Sequence, residues 1–187
     1  MKKILYSPGE PSGIGPDLII QLCKSIFWTD IKIPILCLSD PKLLIQRSKD
    51  LGKKINLKEV SDIKQLEANK KNVIQIIHVS DCRNTKYGKL YKSNAQYVLD
   101  NLQFGIDEAL KDKNLALVTG PISKENIISI NKDFSGHTEY IQQRTKSAKV
   151  LMLLSSDKLK VALATTHLPL KEVANKISKD LVISKAI

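Results

Sequence analysis

Three segments of the sequence carry side chains that could do chemistry, and the first is residues 8–17, PGEPSGIGPD. Its glycines allow a tight turn and a close approach of backbone to ligand. A helix that begins at Pro16 would point its free N–H groups toward an anion. Glu10, Gly13 and Gly15 are therefore candidate cofactor-binding residues. The spacing is not the Gly-x-Gly-x-x-Gly of dinucleotide sites, so a plain strand-to-helix turn remains the alternative.

The second segment combines residues 119–124, TGPISK, with residues 134–139, FSGHTE. Lys124 can pair with a phosphate or a carboxylate. His137 and Thr138 offer an imidazole and a hydroxyl at a predicted helix start, where backbone N–H groups also point outward. We interpret these three residues as substrate-binding candidates. The alternative makes Ser135 or Thr138 a helix cap and His137 a surface histidine.

The third segment is residues 165–170, TTHLPL, which follows a predicted buried strand. His167 at the end of that strand is a candidate metal ligand, because neutral imidazole is a common ligand in proteins. A histidine packed in the core is the alternative. His78 lies between Ile77 and Val79, and we predict that it is a structural residue in the middle of a strand.

The elements that must position these segments alternate along the chain. Residues 57–69 are ambiguous, and residues 81–92 are polar and predict an exposed loop. Ser93 is predicted to cap the longest helix. Apolar runs predict strands at residues 4–7, 31–38, 73–79, 115–119, 150–154 and 161–164. Helical patterns occupy residues 16–27, 41–51, 93–111, 171–177 and 181–187, with further helices after Ser123 and Gly136.

This alternation predicts an α/β fold, a layered sheet with helices on both of its faces. In the first helix we expect Leu18, Ile19, Leu22 and Ile26 to form the buried face. In sheets of this class, ligands bind beyond the carboxyl ends of the strands. The candidate residues that follow strands are therefore expected at one edge of the sheet.

Composition narrows the classes of function. The net charge is +11, but arginine occurs only at positions 47, 83 and 144, and aromatic residues make up 5% of the 187 residues. Nucleic-acid readers use arginine and aromatic stacking, so we favour a solvated lysine-rich surface and predict no nucleic-acid partner. Three dispersed cysteines indicate neither a disulfide framework nor a cysteine metal site. With no apolar run of about 20 residues and no signal peptide pattern, we predict a cytoplasmic protein without a membrane partner.

Taken together, the motifs at residues 8–17, 119–124, 134–139 and 161–170 resemble those of the 4-hydroxythreonine-4-phosphate dehydrogenase family, in its order and spacing. The resemblance implies a fold of the isocitrate and isopropylmalate dehydrogenase type. It also implies that residues 1–187 are the N-terminal part of a two-domain dehydrogenase, truncated so that the C-terminal remainder is absent.

The reaction that the resemblance implies is oxidation of 4-phosphooxy-L-threonine by NAD or NADP, with decarboxylation to 3-amino-2-oxopropyl phosphate in pyridoxal phosphate biosynthesis. His137 and Thr138 match substrate-binding positions, and His167 matches a ligand of one divalent metal ion (Zn, Mg or Co). Lys124 and Glu10 rest on local chemistry. Family members form homodimers whose site is shared between subunits and takes further metal-binding histidines from the missing part.

Three alternatives remain open. The chain could belong to a paralogous dehydrogenase of 4-phosphoerythronate or phosphothreonate, since the same motifs would serve another phosphorylated hydroxy acid. It could be a binding module that has lost catalysis. It could bind polyanions, which would make its binding to DNA steeply salt-dependent.

Overall fold

The computed structural model describes residues 2–186, and the chain divides into two units, Met1–Gly136 and His137–Ile187. We call them the N-terminal unit and the C-terminal unit, and each is described by itself. No helix within residues 2–186 is long and apolar enough to cross a membrane.

The N-terminal unit is built on a five-stranded sheet in the order β3-β4-β2-β1-β5, and every neighbouring pair of strands is parallel. Parallel strands need crossover connections, and helices supply three of them. The strands are β1 Lys3–Ser7, β2 Ile35–Leu38, β3 Asn56–Glu59, β4 Val73–Ile77 and β5 Leu115–Thr119. The helices are α1 Gly15–Lys24, α2 Pro41–Asp50, α3 Ala95–Lys111 and the short α4 Lys124–Ile128.

Helices cover both faces of this sheet, which confirms the predicted layered α/β fold. On one face, Ile19 and Ile20 of α1 and Leu44 of α2 pack against Ile74 and Ile76 of β4. The opposite face is covered by α3 and by the segment between β3 and β4, which includes the short 3₁₀ turn Ile63–Gln65. The buried residues of that second core are Leu5, Leu36, Leu38, Val60, Ile63, Leu66, Ile77 and Leu115.

Two helix predictions need correction. The first helix ends at Lys24, and its buried residues include Ile19, Ile20 and Cys23, whereas Leu18 and Ile26 are exposed. The face of the helix that was predicted to be buried therefore points partly toward solvent. Ser93 does not cap α3, because residues Lys92–Asn94 form a 3₁₀ turn that runs directly into the helix.

Two strand predictions also need correction. The strand predicted at residues 31–38 begins only at Ile35, because the carbonyls of Ile31 and Ile33 accept hydrogen bonds from the buried side chain of Asn69. The strand predicted as buried at residues 115–119 is β5, which lies at the edge of the sheet and leaves Val118 exposed.

The C-terminal unit contains α5 His137–Thr145, an antiparallel pair of strands and two further helices. Tyr140 is the one large apolar side chain that is buried within residues 137–186. Neither of the last two helices buries any residue. The strands are β6 Leu153–Ser155 and β7 Lys160–Ala162, and the helices are α6 Leu170–Lys176 and α7 Lys179–Ala186.

Candidate functional site

The turn between β1 and α1 packs against the segment that follows β5. The backbone N–H of Glu10 donates to the carbonyl of Pro121 over 2.9 Å, and Gly120 donates to Ser7 over 2.7 Å. Gly9 has a φ of +79°. A Cβ on Gly120 would lie 2.1 Å from the carbonyl oxygen of Pro8, so only glycine fits there. The two glycine-proline segments form one backbone platform at the carboxyl edge of the sheet.

Glu10 is buried in this platform and connects it to α4. One carboxylate oxygen accepts from the backbone N–H of Ser12 over 3.2 Å. The other accepts from the amide of Asn126 over 3.3 Å. Glu10 is only 5% exposed, so its carboxylate fixes the turn and α4 relative to each other. Glu10, a candidate cofactor-binding residue, therefore positions the turn and α4 in the structure.

Lys124 is the first residue of α4 and is exposed to solvent. The helix follows Ser123, as predicted, and Ser123 caps it by accepting from the backbone N–H of Asn126 over 3.3 Å. Because Asn126 also binds Glu10, the helix that carries Lys124 is anchored to the turn that carries Gly13. The N-terminal unit thus brings Lys124, Glu10 and Gly13 into one region.

The two candidate cofactor glycines differ in what surrounds them. A Cβ on Gly15 would lie 1.8 Å from the carbonyl oxygen of Pro8, so the missing side chain is needed for packing within the protein. A Cβ on Gly13 would come no closer than 3.2 Å to any neighbouring atom. No side chain caps the N-terminus of α1. Gly13 and this helix start fit a phosphate-bearing cofactor, while packing accounts for Gly15.

Arg47 holds the same turn from the side of α2, and sequence reasoning missed it. Its guanidinium donates to the carbonyl of Pro11 over 2.7 Å and lies 3.1 Å from the carboxylate of Asp17. It also stacks over the ring of Tyr87 at 4.1 Å. Burial raises the pKa of Asp17, and the charge of Arg47 opposes that rise. The scarcity of arginine in this lysine-rich chain was the available signal.

The structure contradicts the prediction for His78. Strand β4 ends at Ile77, so His78 lies beyond the strand and is exposed. Its Nε2 is 3.2 Å from the carboxylate of Asp81. Asp40, which follows β2, completes a group of three ligand atoms within 4.8 Å of one another. The predicted strand was two residues too long, and this group was therefore overlooked.

In the C-terminal unit, His137 and Thr138 open α5 and are half-buried. Thr138 lines a cleft of about 210 Å³ together with Thr166 from the third motif. The lysines Lys149 and Lys185 also line it. The Lys185 ammonium donates to the carbonyl of Val150. The lining thus combines two threonines and two lysines with the acidic Glu139, and its hydroxyl and cationic residues suit an anionic ligand such as a phosphate or a carboxylate.

His167 follows Thr166 and is largely exposed, with a φ of +59°. Its Nε2 lies 3.8 Å from the carboxylate of Glu139 in α5. These two groups are short of the three protein ligands that a catalytic zinc site needs. Within residues 2–186 the only group of three candidate ligands is Asp40, His78 and Asp81, which does not include His167. The predicted metal therefore does not fit the described residues around His167 alone.

The fold and these motifs define an α/β protein with a parallel central sheet, helices on both of its faces and glycine-rich turns at its carboxyl edge. The sequence profile of the family described as Pyridoxal phosphate biosynthetic protein PdxA matches residues 30–187, and the chain belongs to this family. The matched range includes Lys124, His137, Thr138 and His167. It does not include the turn with Glu10, Gly13 and Gly15.

Solved structures with the same fold cover nearly all of this chain. A 4-hydroxythreonine-4-phosphate dehydrogenase from Burkholderia phymatum aligns with a TM-score of 0.87 and 20% identity, over 100% of this chain and 56% of that one. The enzyme of the same name from Klebsiella pneumoniae gives a TM-score of 0.84 and 22% identity, over 98% and 55%. The chain thus spans little more than half the length of these structures. At these identities the likeness establishes the fold.

Proposed function

We propose that this chain forms part of an NAD- or NADP-dependent dehydrogenase that oxidises 4-phosphooxy-L-threonine and decarboxylates it to 3-amino-2-oxopropyl phosphate. The observation that carries the proposal is the polar cleft of the C-terminal unit. It combines Thr138 and Thr166 from two of the family-like motifs with two lysines. Membership of the pyridoxal phosphate biosynthetic family supports the same substrate class.

In this proposal the cleft binds the anionic part of the substrate. Thr138 donates its hydroxyl, and the ammonium groups of Lys149 and Lys185 supply positive charge. His137 precedes Thr138 and contributes to substrate binding in this unit. Lys124 belongs to the N-terminal unit and is proposed separately as a cationic substrate-binding residue. These residues bind and orient the substrate, and the nicotinamide cofactor, when bound, accepts the hydride.

The cofactor is assigned to the turn that carries Glu10, Gly13 and Gly15. The uncapped start of α1 favours a negative charge, because its first N–H groups lack partners within the helix. Glu10 keeps the turn in place through Asn126. Gly15 allows α1 to start in close contact with the carbonyl of Pro8. Gly13 is half-buried, and its N–H donates to the carbonyl of Glu10 within the turn.

We further propose that residues 1–187 correspond to the N-terminal part of a two-domain enzyme that works as a homodimer in the cytoplasm. His167 and Glu139 supply two donors for a divalent metal, and a functional site needs more. The additional ligands would come from chain beyond these residues and from a second subunit. This division also accounts for the apolar side chains that the described residues leave exposed, among them Val118 and Leu170.

The experiment that tests this proposal measures the formation of reduced nicotinamide cofactor. The 187-residue protein is mixed with 4-phosphooxy-L-threonine, a divalent metal and either NAD or NADP. We expect no turnover from these residues alone, and turnover once the chain is continued to the length of its relatives. Parallel reactions with 4-phosphoerythronate and phosphothreonate test the substrate. Turnover by the 187 residues alone, or a preference for either of the other substrates, would contradict the proposal.

The cofactor assignment has its own matched pair of variants. Gly13→Ala should weaken binding of the dinucleotide to the full-length enzyme and lower the melting temperature less than Gly15→Ala does, because its Cβ would lie 3.2 Å from the carbonyl oxygen of Glu10. Gly15→Ala should destabilise the protein by about 1–3 kcal/mol through the clash with Pro8. Unchanged dinucleotide affinity in Gly13→Ala would move the cofactor away from this turn.

A further inference from the structure

We propose that Asp40, His78 and Asp81 form a binding site for a divalent transition-metal cation at the carboxyl edge of the N-terminal sheet. One ligand atom from each side chain lies within 4.8 Å of the other two. This site is separate from the metal that the proposed function assigns to His167, and it does not depend on that function.

The parallel sheet itself brings these residues together. Leu38 of β2 stands opposite Ile77 of β4 in the parallel register. His78 is the next residue after Ile77, and Asp40 follows Leu38 by two positions. Because neighbouring parallel strands end at the same edge, the residues that follow them meet there. The loop after His78 then returns Asp81 to a distance of 3.2 Å from the imidazole.

Asp40 is oriented as a preorganised ligand. One oxygen accepts from the backbone N–H of Lys42 over 2.7 Å, and the other accepts from the backbone N–H of Cys82 over 2.9 Å. Hydrogen bonds of this kind fix the direction of a ligating carboxylate. Asp40 is 2% exposed, and in the described part of the chain no lysine or arginine side chain forms an ion pair with it. A buried carboxylate without a cationic partner favours a bound cation.

The set of donors indicates the type of metal. One imidazole and two carboxylates suit borderline cations such as Zn²⁺, Co²⁺ or Mn²⁺, whereas Mg²⁺ prefers oxygen ligands alone. Two carboxylates would neutralise a divalent charge, and the exposed sides of His78 and Asp81 leave room for water ligands. The Cys82 thiol is directed to the side chain of Asn94 and not to this cluster. Burial, followed by the charges of Asp40 and Glu10, raises the pKa of that thiol to about 12.

The competing interpretation is that Asp40 only caps α2 and that His78 and Asp81 form an ordinary surface ion pair. Calorimetric titration of ZnCl₂ into the 187-residue protein distinguishes these two interpretations. Nitrogen-15 spectra of the histidine rings are recorded in parallel. The chain has three histidines, so each ring signal can be assigned by single substitution.

We expect saturable binding of Zn²⁺ that shifts the ring signals of His78. His78→Gln and Asp81→Asn should each weaken binding by roughly tenfold or more, because each removes one ligand of three. Both side chains are exposed, so the fold should be retained. Asp40 is left unchanged because it also caps α2.

The matched controls are Asp30→Asn, which removes an exposed carboxylate elsewhere in the same unit, and His167→Gln. Neither should change the affinity for Zn²⁺ at this site. Binding that is lost in His167→Gln but kept in His78→Gln would overturn the proposal. So would the absence of saturable binding in the wild-type chain, or equal weakening by Asp30→Asn and Asp81→Asn.

Discussion

The two units of this chain have similar apolar sequence patterns but bury their apolar side chains to very different extents. The N-terminal unit buries apolar side chains on both faces of its sheet, with Leu5, Leu36 and Leu38 fully excluded from solvent. In the C-terminal unit, by contrast, both strands and both final helices are exposed. An apolar pattern stabilises an element only when another element covers it. The N-terminal unit has such partners within the chain, and the C-terminal unit carries motifs for chemistry with little core of its own.

The largest expected difference between the units is in hydrogen exchange. Amides of β2 and β4 should exchange only on global unfolding, which costs about 5 kcal/mol or more in ordinary domains. Amides of β6 and β7 should exchange faster by a factor on the order of a thousand or more, because every residue of these two strands is exposed. Exchange of the intact chain, followed by mass spectrometry of peptides, measures both. Equal protection of β2 and β6 would show that the C-terminal unit is stabilised independently.

Matched leucine substitutions sharpen the same contrast. Leu36→Ala removes a fully buried side chain from the second core and should lower the free energy of unfolding by about 2–5 kcal/mol. Leu154→Ala, at an exposed position of β6, should change it by no more than about 0.5 kcal/mol. Urea denaturation followed by circular dichroism measures both variants. A loss in Leu154→Ala as large as that in Leu36→Ala would mean that β6 packs against something in solution.

Long, periodic segments of the fold were predictable from the sequence, and elements set by distant partners were not. The strand-helix alternation and the helix after Ser123 follow from local pattern and were correct. The late start of β2 depends on Asn69, which is more than 30 residues away in sequence and binds the carbonyls of Ile31 and Ile33. Such a contact leaves no periodic signal.

The same distinction holds for the candidate site. The placement of Lys124, Glu10 and Gly13 at one edge of the sheet was predictable, because each lies in a short motif that follows a strand. Arg47 was not, since its partners Pro11, Asp17 and Tyr87 come from two other segments. His78 was misassigned because the apolar pattern continues past Ile77 to Val79, while the hydrogen-bonded strand ends earlier.

The third prediction concerns the ion pair between Arg47 and Asp17 in the N-terminal unit. Arg47→Ala should destabilise the protein by about 1–3 kcal/mol, because the carbonyl of Pro11 and the partly buried carboxylate of Asp17 lose their partner. Arg83→Ala is the matched control, since that side chain is exposed, and it should fall within about 0.5 kcal/mol of the wild type. Thermal unfolding of the two variants tests this. Equal stability of both would remove Arg47 as the residue that holds the turn.

The smallest effect is expected for an ion pair of the C-terminal unit, the one between His167 and Glu139. The two groups are 3.8 Å apart and their side chains are 69% and 40% exposed, so solvent screens their attraction. Glu139→Gln should leave the urea midpoint unchanged, in contrast to Arg47→Ala. A measurable loss of stability would make this pair structural and would weaken the assignment of His167 to a metal. An unchanged midpoint would mean that the pair contributes nothing to folding, and any loss of ligand binding in the same variant would then report on the site directly.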